Sequence, residues 1–250
     1  MEEHLENLRR AELQTVKSWF KPNIQVLELG GGSGYQASLI ASWGCEVVSI
    51  DLPNRSTPST QYYSVQDYDG ANIPFNNESF DIIFSSNVLE HIQNLPPIFT
   101  EMHRVLKPDG IAIHVLPNPA WRFWTSLSHY GYLLKYLLGK QNSISGAKDT
   151  PILAKTLHKY GAVQTINRVL FAGPHGEYPN AFSEMYFFSR RRWLNLFKIN
   201  GFDIDQVMDN RIFYTGYGLF PSTPLKIRCF MAPFLGSACS IYIMHSNKKN

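Results

Sequence analysis

Between Val26 and Tyr35 the chain reads VLELGGGSGY. A short apolar run carrying one acid, Glu28, passes directly into Gly30, Gly32 and Gly34, with Ser33 between the last two. Glycines at alternate positions behind a strand let the backbone come close to a bound group. A pyrophosphate-binding dinucleotide loop is spaced G-x-G-x-x-G. Here the third position of that pattern is Tyr35, and Glu28 suits a cation better than a pyrophosphate. The loop therefore fits a ligand with little phosphate and some positive charge. Asp51 follows Gly30 by about twenty positions, at the end of the next apolar run, where a carboxylate can accept both hydroxyls of a ribose.

A second set of residues could move a proton. His175 and Glu177 stand two apart in the turn-rich GPHGE, so an extended backbone places both on one side. A histidine beside a carboxylate is a general-base pairing, against which stands a turn whose polar side chains satisfy the backbone. His91, in LEHI, is a third catalytic candidate or a residue closing a loop. His114, between Ile113 and Val115, reads as a core histidine. Arg190, Arg191 and Arg192 could meet a diphosphate or an anionic membrane, although a solvated helix end is the ordinary reading. Cys45, Cys229 and Cys239 lack metal-site spacing, so neither a disulfide framework nor a metal is expected.

These residues need a scaffold to hold them. Leu5, Leu8, Leu13 and Val16 recur at roughly helical spacing, with Trp19 and Phe20 before Lys21-Pro22, which predicts an N-terminal amphipathic helix. IQVLEL, CEVVSID, YYSVQD, FDIIFSSN and IAIHVL read as five successive strands. A helix lies near Tyr35–Ser42, and another opens at Pro96-Pro97 and is stopped by PDG. SRRRWLNLFKING is a later helix, FDIDQVM a strand and SACSIYIMH the last strand, reached through the loop-like FYTGYGLFPSTPL. Alternating strands and helices predict an α/β, doubly wound, Rossmann-like sheet, with the ligand at the carboxyl ends of the strands.

The 250 residues, 44% hydrophobic, suit one domain. Its parts are an N-terminal helix (1–22), a cofactor-binding core (23–116), a substrate-capping insertion (117–188) and a C-terminal helix with the last strands (189–250). Trp121, Phe123, Trp124, Tyr130, Tyr132 and Tyr136 make the insertion aromatic, fit for lid packing, a substrate pocket or an interface. A net charge of +3 is too weak to argue for nucleic acid. MEEHLENLRR is charged from its second residue and is no signal peptide. Without an eighteen-residue apolar window no transmembrane span is expected. A cytoplasmic protein follows, with room for peripheral contact at the inner face of a membrane.

VLELGGGSGY, VVSIDLP, YDGANIPFNNESFDIIFSSNVLEHI and EMHRVLKPDGIAIHVLPNP, in this order, resemble the class I S-adenosylmethionine-dependent methyltransferases. The resemblance is to the small-molecule group typified by quinone and sterol methyltransferases, and it covers roughly Val26 to Pro119. It implies a seven-stranded, mostly parallel sheet and S-adenosyl-L-methionine as cofactor. It further implies that Gly30, Gly32 and Ser33 approach the methionine moiety, with Glu28 orienting its ammonium. Asp51 would bind the ribose and Leu52 pack on the adenine. Asp69, next to Gly70 and four positions before the IPF triplet, would meet the adenine amino group, and Asn87 the methionine portion. HVLPNPAWRFWTSLSHY and GPHGEYPNAFSEMYFFSRRRWLNLF resemble, more weakly, methyltransferases of bacterial surface-polysaccharide biosynthesis. That resemblance implies O-methylation of a sugar on a lipid- or nucleotide-linked glycan. The alternatives are a catalytically silent methyltransferase-like binding subunit, a quinone or lipid methyltransferase, and a nicotinamide oxidoreductase, which Tyr35 and Glu28 disfavour.

Overall fold

The computed structural model describes residues 2–53, 60–137, 173, 175–177, 180–216 and 222–247. The chain begins with α1 (Glu2–Gln14) and a single 3₁₀ turn at Lys17–Trp19. It continues as β1 (Gln25–Leu29), α2 (Tyr35–Ser42), β2 (Glu46–Asp51), β3 (Val65–Asp67), β4 (Phe80–Ser86), α3 (Leu95–Val105) and β5 (Leu106–Pro117). After β5 come α4 (Pro119–Leu137), α5 (Ala181–Phe187), α6 (Arg190–Ile199), β6 (Phe202–Asp209), α7 (Leu225–Leu235) and β7 (Cys239–Ser246).

The seven strands form one sheet in the order β3-β2-β1-β4-β5-β7-β6. β1 to β5 pair in parallel, and β7 runs antiparallel to both β5 and β6. Strand order reverses between β1 and β4, which opens a crevice at their carboxyl ends. Successive side chains of a strand point to opposite faces. Leu27, Ile83, Ala112 and Met244 accordingly join one buried cluster with Phe99, Trp193 and Phe197. Val26, Ile82, Ile113 and Ile243 join the other with Leu13, Val16 and Ile40. A sheet buried on both faces explains why the central strands read as unbroken apolar runs rather than as alternation.

Local chemistry sets the helix ends. α3 carries Pro96 and Pro97 in its first turn, where the missing N–H groups would have no intrahelical acceptor, and buries Leu95, Ile98, Phe99, Met102 and Val105 along one face. Asn180 caps α5 by accepting from the N–H groups of Phe182 and Ser183, at 3.0 and 2.9 Å.

Three features depart from the sequence reading. The PDG at Pro108–Gly110 does not separate a helix from a later strand, because β5 already starts at Leu106. Its pairing with β4 slips between Phe80 and Ile82, so the turn residues are absorbed as an irregularity. The N-terminal helix stops at Gln14, short of Phe20. α7 was hidden by its prolines: Pro224 precedes the first turn, where a helix tolerates it, and Pro233 lies within the last, where it costs the helix one N–H donor. Of the aromatic insertion, 138–172 and the side chains of Tyr132 and Tyr136 lie outside the described residues. The part that is described includes a 19-residue helix, α4.

Candidate functional site

The carboxyl ends of β1, β2 and β4 surround a cavity of about 460 Å³. Gly30, Asp51, Leu52, Asp69, Gly70 and Asn87 line it, as do His91 and three residues not singled out from sequence, Tyr68, Val88 and Ile92. Four separate segments thus bring seven of the candidate residues to one place. Glu28, Gly32 and Ser33 belong to the same strand and loop but do not line the cavity.

The glycine loop is shaped by what lies against it. Gly30 adopts φ +77°, and a Cβ there would overlap the side chain of Val88. Gly31 has no room for a side chain either, being pressed on Ser49 and Glu28. Asp51 fixes the loop from the neighbouring strand. One of its carboxylate oxygens accepts from the Gly32 N–H at 2.8 Å and the other from the Leu52 N–H at 2.7 Å. Asp69 organises its own turn, accepting from the N–H groups of Ala71 and Asn72 at 2.8 and 2.7 Å. Asn87 adopts φ +55° at the end of β4, and its N–H is held by Val115 O at 2.8 Å.

Glu28 lies beneath the loop. Its carboxyl is buried and accepts from Ser49 Oγ at 2.5 Å. Burial pushes its pKa up from 4.5 to about 7, the Ser49 hydrogen bond opposes this, and nearby Asp51 adds to it. The folded protein therefore keeps a proton that the unfolded chain releases above pH 4.5. This contribution to stability is complete below that value and is lost as pH rises through 7. Glu28→Gln should flatten part of the decline in thermal midpoint between pH 5 and 7.5; an unaltered slope, read by circular dichroism melts, would contradict the assignment.

The first helix closes one side of the site, which the sequence reading missed. Arg9 Nη1 donates to Glu12 at 2.7 Å, and with the Asn87 amide assigned so that its oxygen faces the guanidinium, that oxygen accepts from Nη1 and Nη2 at 2.5 and 3.2 Å. Glu12, fully buried, also accepts from Asn210 Nδ2 at 2.9 Å and Tyr214 OH at 2.8 Å. The signal was present as two charges, Arg9 and Glu12, set between Leu8 and Leu13 on a face that should be apolar.

Across the cavity mouth from the loop, His91 ends a 3₁₀ turn and its ring meets that of His175 edge-on at 4.9 Å. Trp121 of α4 packs on the other side of His175 at 4.6 Å. His175 keeps an exposed edge, yet this wedged ring is desolvated enough that burial lowers its pKa to about 4, helped by His91, Arg122 and Arg9. His91 is lowered too, chiefly by burial, with Glu177 acting in the other direction. Both imidazoles are thus neutral at pH 7 and carry a free lone pair. The 175–177 backbone bends, so the extended geometry on which the pairing of His175 with Glu177 was argued is absent. Glu177 instead accepts from Gln93 Nε2 at 2.6 Å.

That bend is anchored by a buried ion pair. Glu184 accepts from the N–H groups of both His175 and Gly176 at 2.6 Å, and Arg122 Nε approaches its other oxygen at 2.6 Å. Arg122 also donates to Gly173 O at 2.7 Å. Arg122 and Glu184 are 2% and 0% exposed, so this polar knot is sealed from water. Glu90, beside His91, is another buried acid, and burial raises its pKa to about 8.

The remaining candidates sit elsewhere. His114 is a core residue, with Nδ1 2.7 Å from Ser85 Oγ. Arg190 pairs with Asp209 at 2.8 Å, and Arg192 lies over Trp193. Trp124 donates to Leu235 O at 2.8 Å, while Phe123 and Tyr130 are exposed. Among the described residues no helix is long and apolar enough to cross a membrane.

A family model described as a methyltransferase domain matches residues 1–207. The chain belongs to this family. Among curated proteins it is 33% identical over 131 residues to the uncharacterized methyltransferase YbaJ of Bacillus subtilis, covering 47% of the chain and 51% of the relative. It is also 28% identical over 123 residues to the biotin biosynthesis bifunctional protein BioHC of Cellvibrio japonicus, covering 45% of the chain and 24% of the relative. These matches span about half the length of the first relative and about a quarter of the second. The fold is shared with S-adenosylmethionine-dependent methyltransferases of Mesorhizobium loti (TM-score 0.51, 17% identity, 94% of this chain and 97% of that one) and Methanosarcina mazei (0.53, 17%, 93% and 96%). The fold is the one these S-adenosylmethionine-dependent methyltransferases share, so S-adenosylmethionine is the cofactor against which the fit of the site is judged. The glycine cradle and the acid-flanked cavity at the β1–β4 crevice fit that cofactor, and about 460 Å³ lies within the range of small-molecule sites.

Proposed function

We propose that the protein transfers a methyl group from S-adenosylmethionine to a hydroxyl of a small molecule or glycan, a sugar hydroxyl in polysaccharide biosynthesis being the favoured acceptor. The observation that carries this reading is the continuity of two sites. His91 lines the cofactor cavity and touches His175, whose lone pair is free at neutral pH. When bound, the cofactor supplies a methyl on a sulfonium, and sulfur keeps the carbon–sulfur electron pair as the methyl leaves. Alignment and exclusion of water by the protein are worth on the order of 7–11 kcal/mol in such displacements.

In this reading Asp51 accepts the ribose hydroxyls with the lone pairs left free by Gly32 and Leu52, and Leu52 packs on the adenine. Asp69 and Gly70 meet the adenine edge. Gly30, Gly32, Ser33 and Asn87 receive the methionine portion, and Glu28 supports the loop that faces the ammonium. His175 and His91 activate the acceptor, and Glu177 tunes His91. The relative named for biotin biosynthesis supports a small-molecule acceptor.

Calorimetric titration with S-adenosylmethionine and S-adenosylhomocysteine tests the cofactor site. Micromolar affinity is expected for both, weakened more than tenfold by Asp51→Ala. Failure of either ligand to bind would leave a silent binding subunit as the better account, and unchanged affinity in the variant would remove Asp51 from the site.

A further inference from the structure

Glu90 is 1% exposed, and neither of its carboxylate oxygens has a hydrogen-bond partner. A carboxyl group taken from water without donors either keeps its proton or is compensated by a cation. Its Oε1 lies 3.9 Å from His91 Nε2. His91 and His175 meet ring to ring, and among the described residues one ligand atom each from Glu90, His91 and His175 falls within 4.8 Å of the others.

We propose that Glu90, His91 and His175 form a binding site for one divalent transition-metal ion at the acceptor side of the cofactor cavity. Two imidazoles and one carboxylate suit zinc, manganese or ferrous iron and leave coordination positions open. Bonds of about 2.0–2.2 Å need ligand atoms closer together than they stand here, so binding draws the exposed ring of His175 inward. Glu90 is the element that separates a metal site from a plain histidine pair. A histidine pair at a cavity mouth needs no metal, whereas an acid with two unpaired buried oxygens gains a partner from one.

The proposal rests on the methyltransferase reading and specifies how the acceptor is activated. An acceptor hydroxyl at an open position of the ion becomes more acidic. Its oxygen then forms the bond to the methyl carbon as the carbon–sulfur bond breaks, the electron pair staying on sulfur and the hydroxyl proton passing to solvent. The lone pair of His175 serves the ion in this scheme rather than taking that proton.

Chelator-treated full-length protein should be titrated calorimetrically with zinc and with manganese, and with cobalt(II) while its visible absorption is followed. One equivalent is expected to bind with micromolar or tighter affinity, and cobalt should show bands of an imidazole-containing site. Glu90→Gln and His175→Ala should each weaken binding at least tenfold. S-adenosylhomocysteine titrations on the same samples separate the two readings, because cofactor binding is expected to persist in both variants. No stoichiometric binding of any of the three metals, or binding untouched by either substitution, would overturn the site even with cofactor affinity intact.

Discussion

Glu184→Ala is expected to destabilise the protein by about 3–5 kcal/mol, the range for removing one partner of a buried ion pair. The loss would not come from the attraction alone. Arg122 would remain as a charge sealed from water, and the N–H groups of His175 and Gly176 would lose their acceptor. A double replacement, Arg122→Met with Glu184→Leu, removes both charges and should recover most of the stability, since apolar substitutes for a buried pair are often neutral. It should not recover activity, because the bend that presents His175 has lost its anchor. Urea melts and turnover on the same variants distinguish these effects. If activity returned along with stability, the pair would serve the fold alone.

His175→Ala is expected to lower kcat by about 10²–10⁴ while leaving the affinity for S-adenosylmethionine unchanged. The histidine lies outside the cofactor cavity, so a loss confined to turnover is the specific outcome. Its surroundings also predict a flat profile. With the imidazole pKa near 4, loss of its proton is complete well below neutrality, and kcat should not rise between pH 6 and 8 on its account. An unchanged kcat in the variant, at any pH in that window, would make His175 part of the packing on Trp121 and nothing more.

The cavity at the strand ends was legible in the sequence because its residues are tied to those ends. Gly30, Asp51 and Asn87 each sit where an apolar run stops, so reading the strands also located them. The surroundings of His175 were not, because they are assembled by groups that neighbour each other only in space. Glu184 and His175 are nine residues apart, but Arg122 lies on a different helix, and no spacing rule joins them. His175 and Glu177 looked paired because two residues of an extended chain share a side, and the bend cancels that. α7 escaped notice since its prolines read as turns when their place in the helix is unknown. Arg9 and Glu12 escaped because a charge within an amphipathic helix is ordinarily on its wet face.

The anchoring of α1 has a consequence for how the protein is made. Glu12 bonds to Asn210 and Tyr214 across sequence separations of 198 and 202 residues. A ribosome delivers the first helix about two hundred residues before these fixing points, so they cannot hold Glu12 while β1 to β5 are being made. Contacts of such long range also form slowly. Until then the nascent chain holds the parallel strands β1 to β5 without the antiparallel pair, and the side of the site that α1 covers waits for Asn210 and Tyr214.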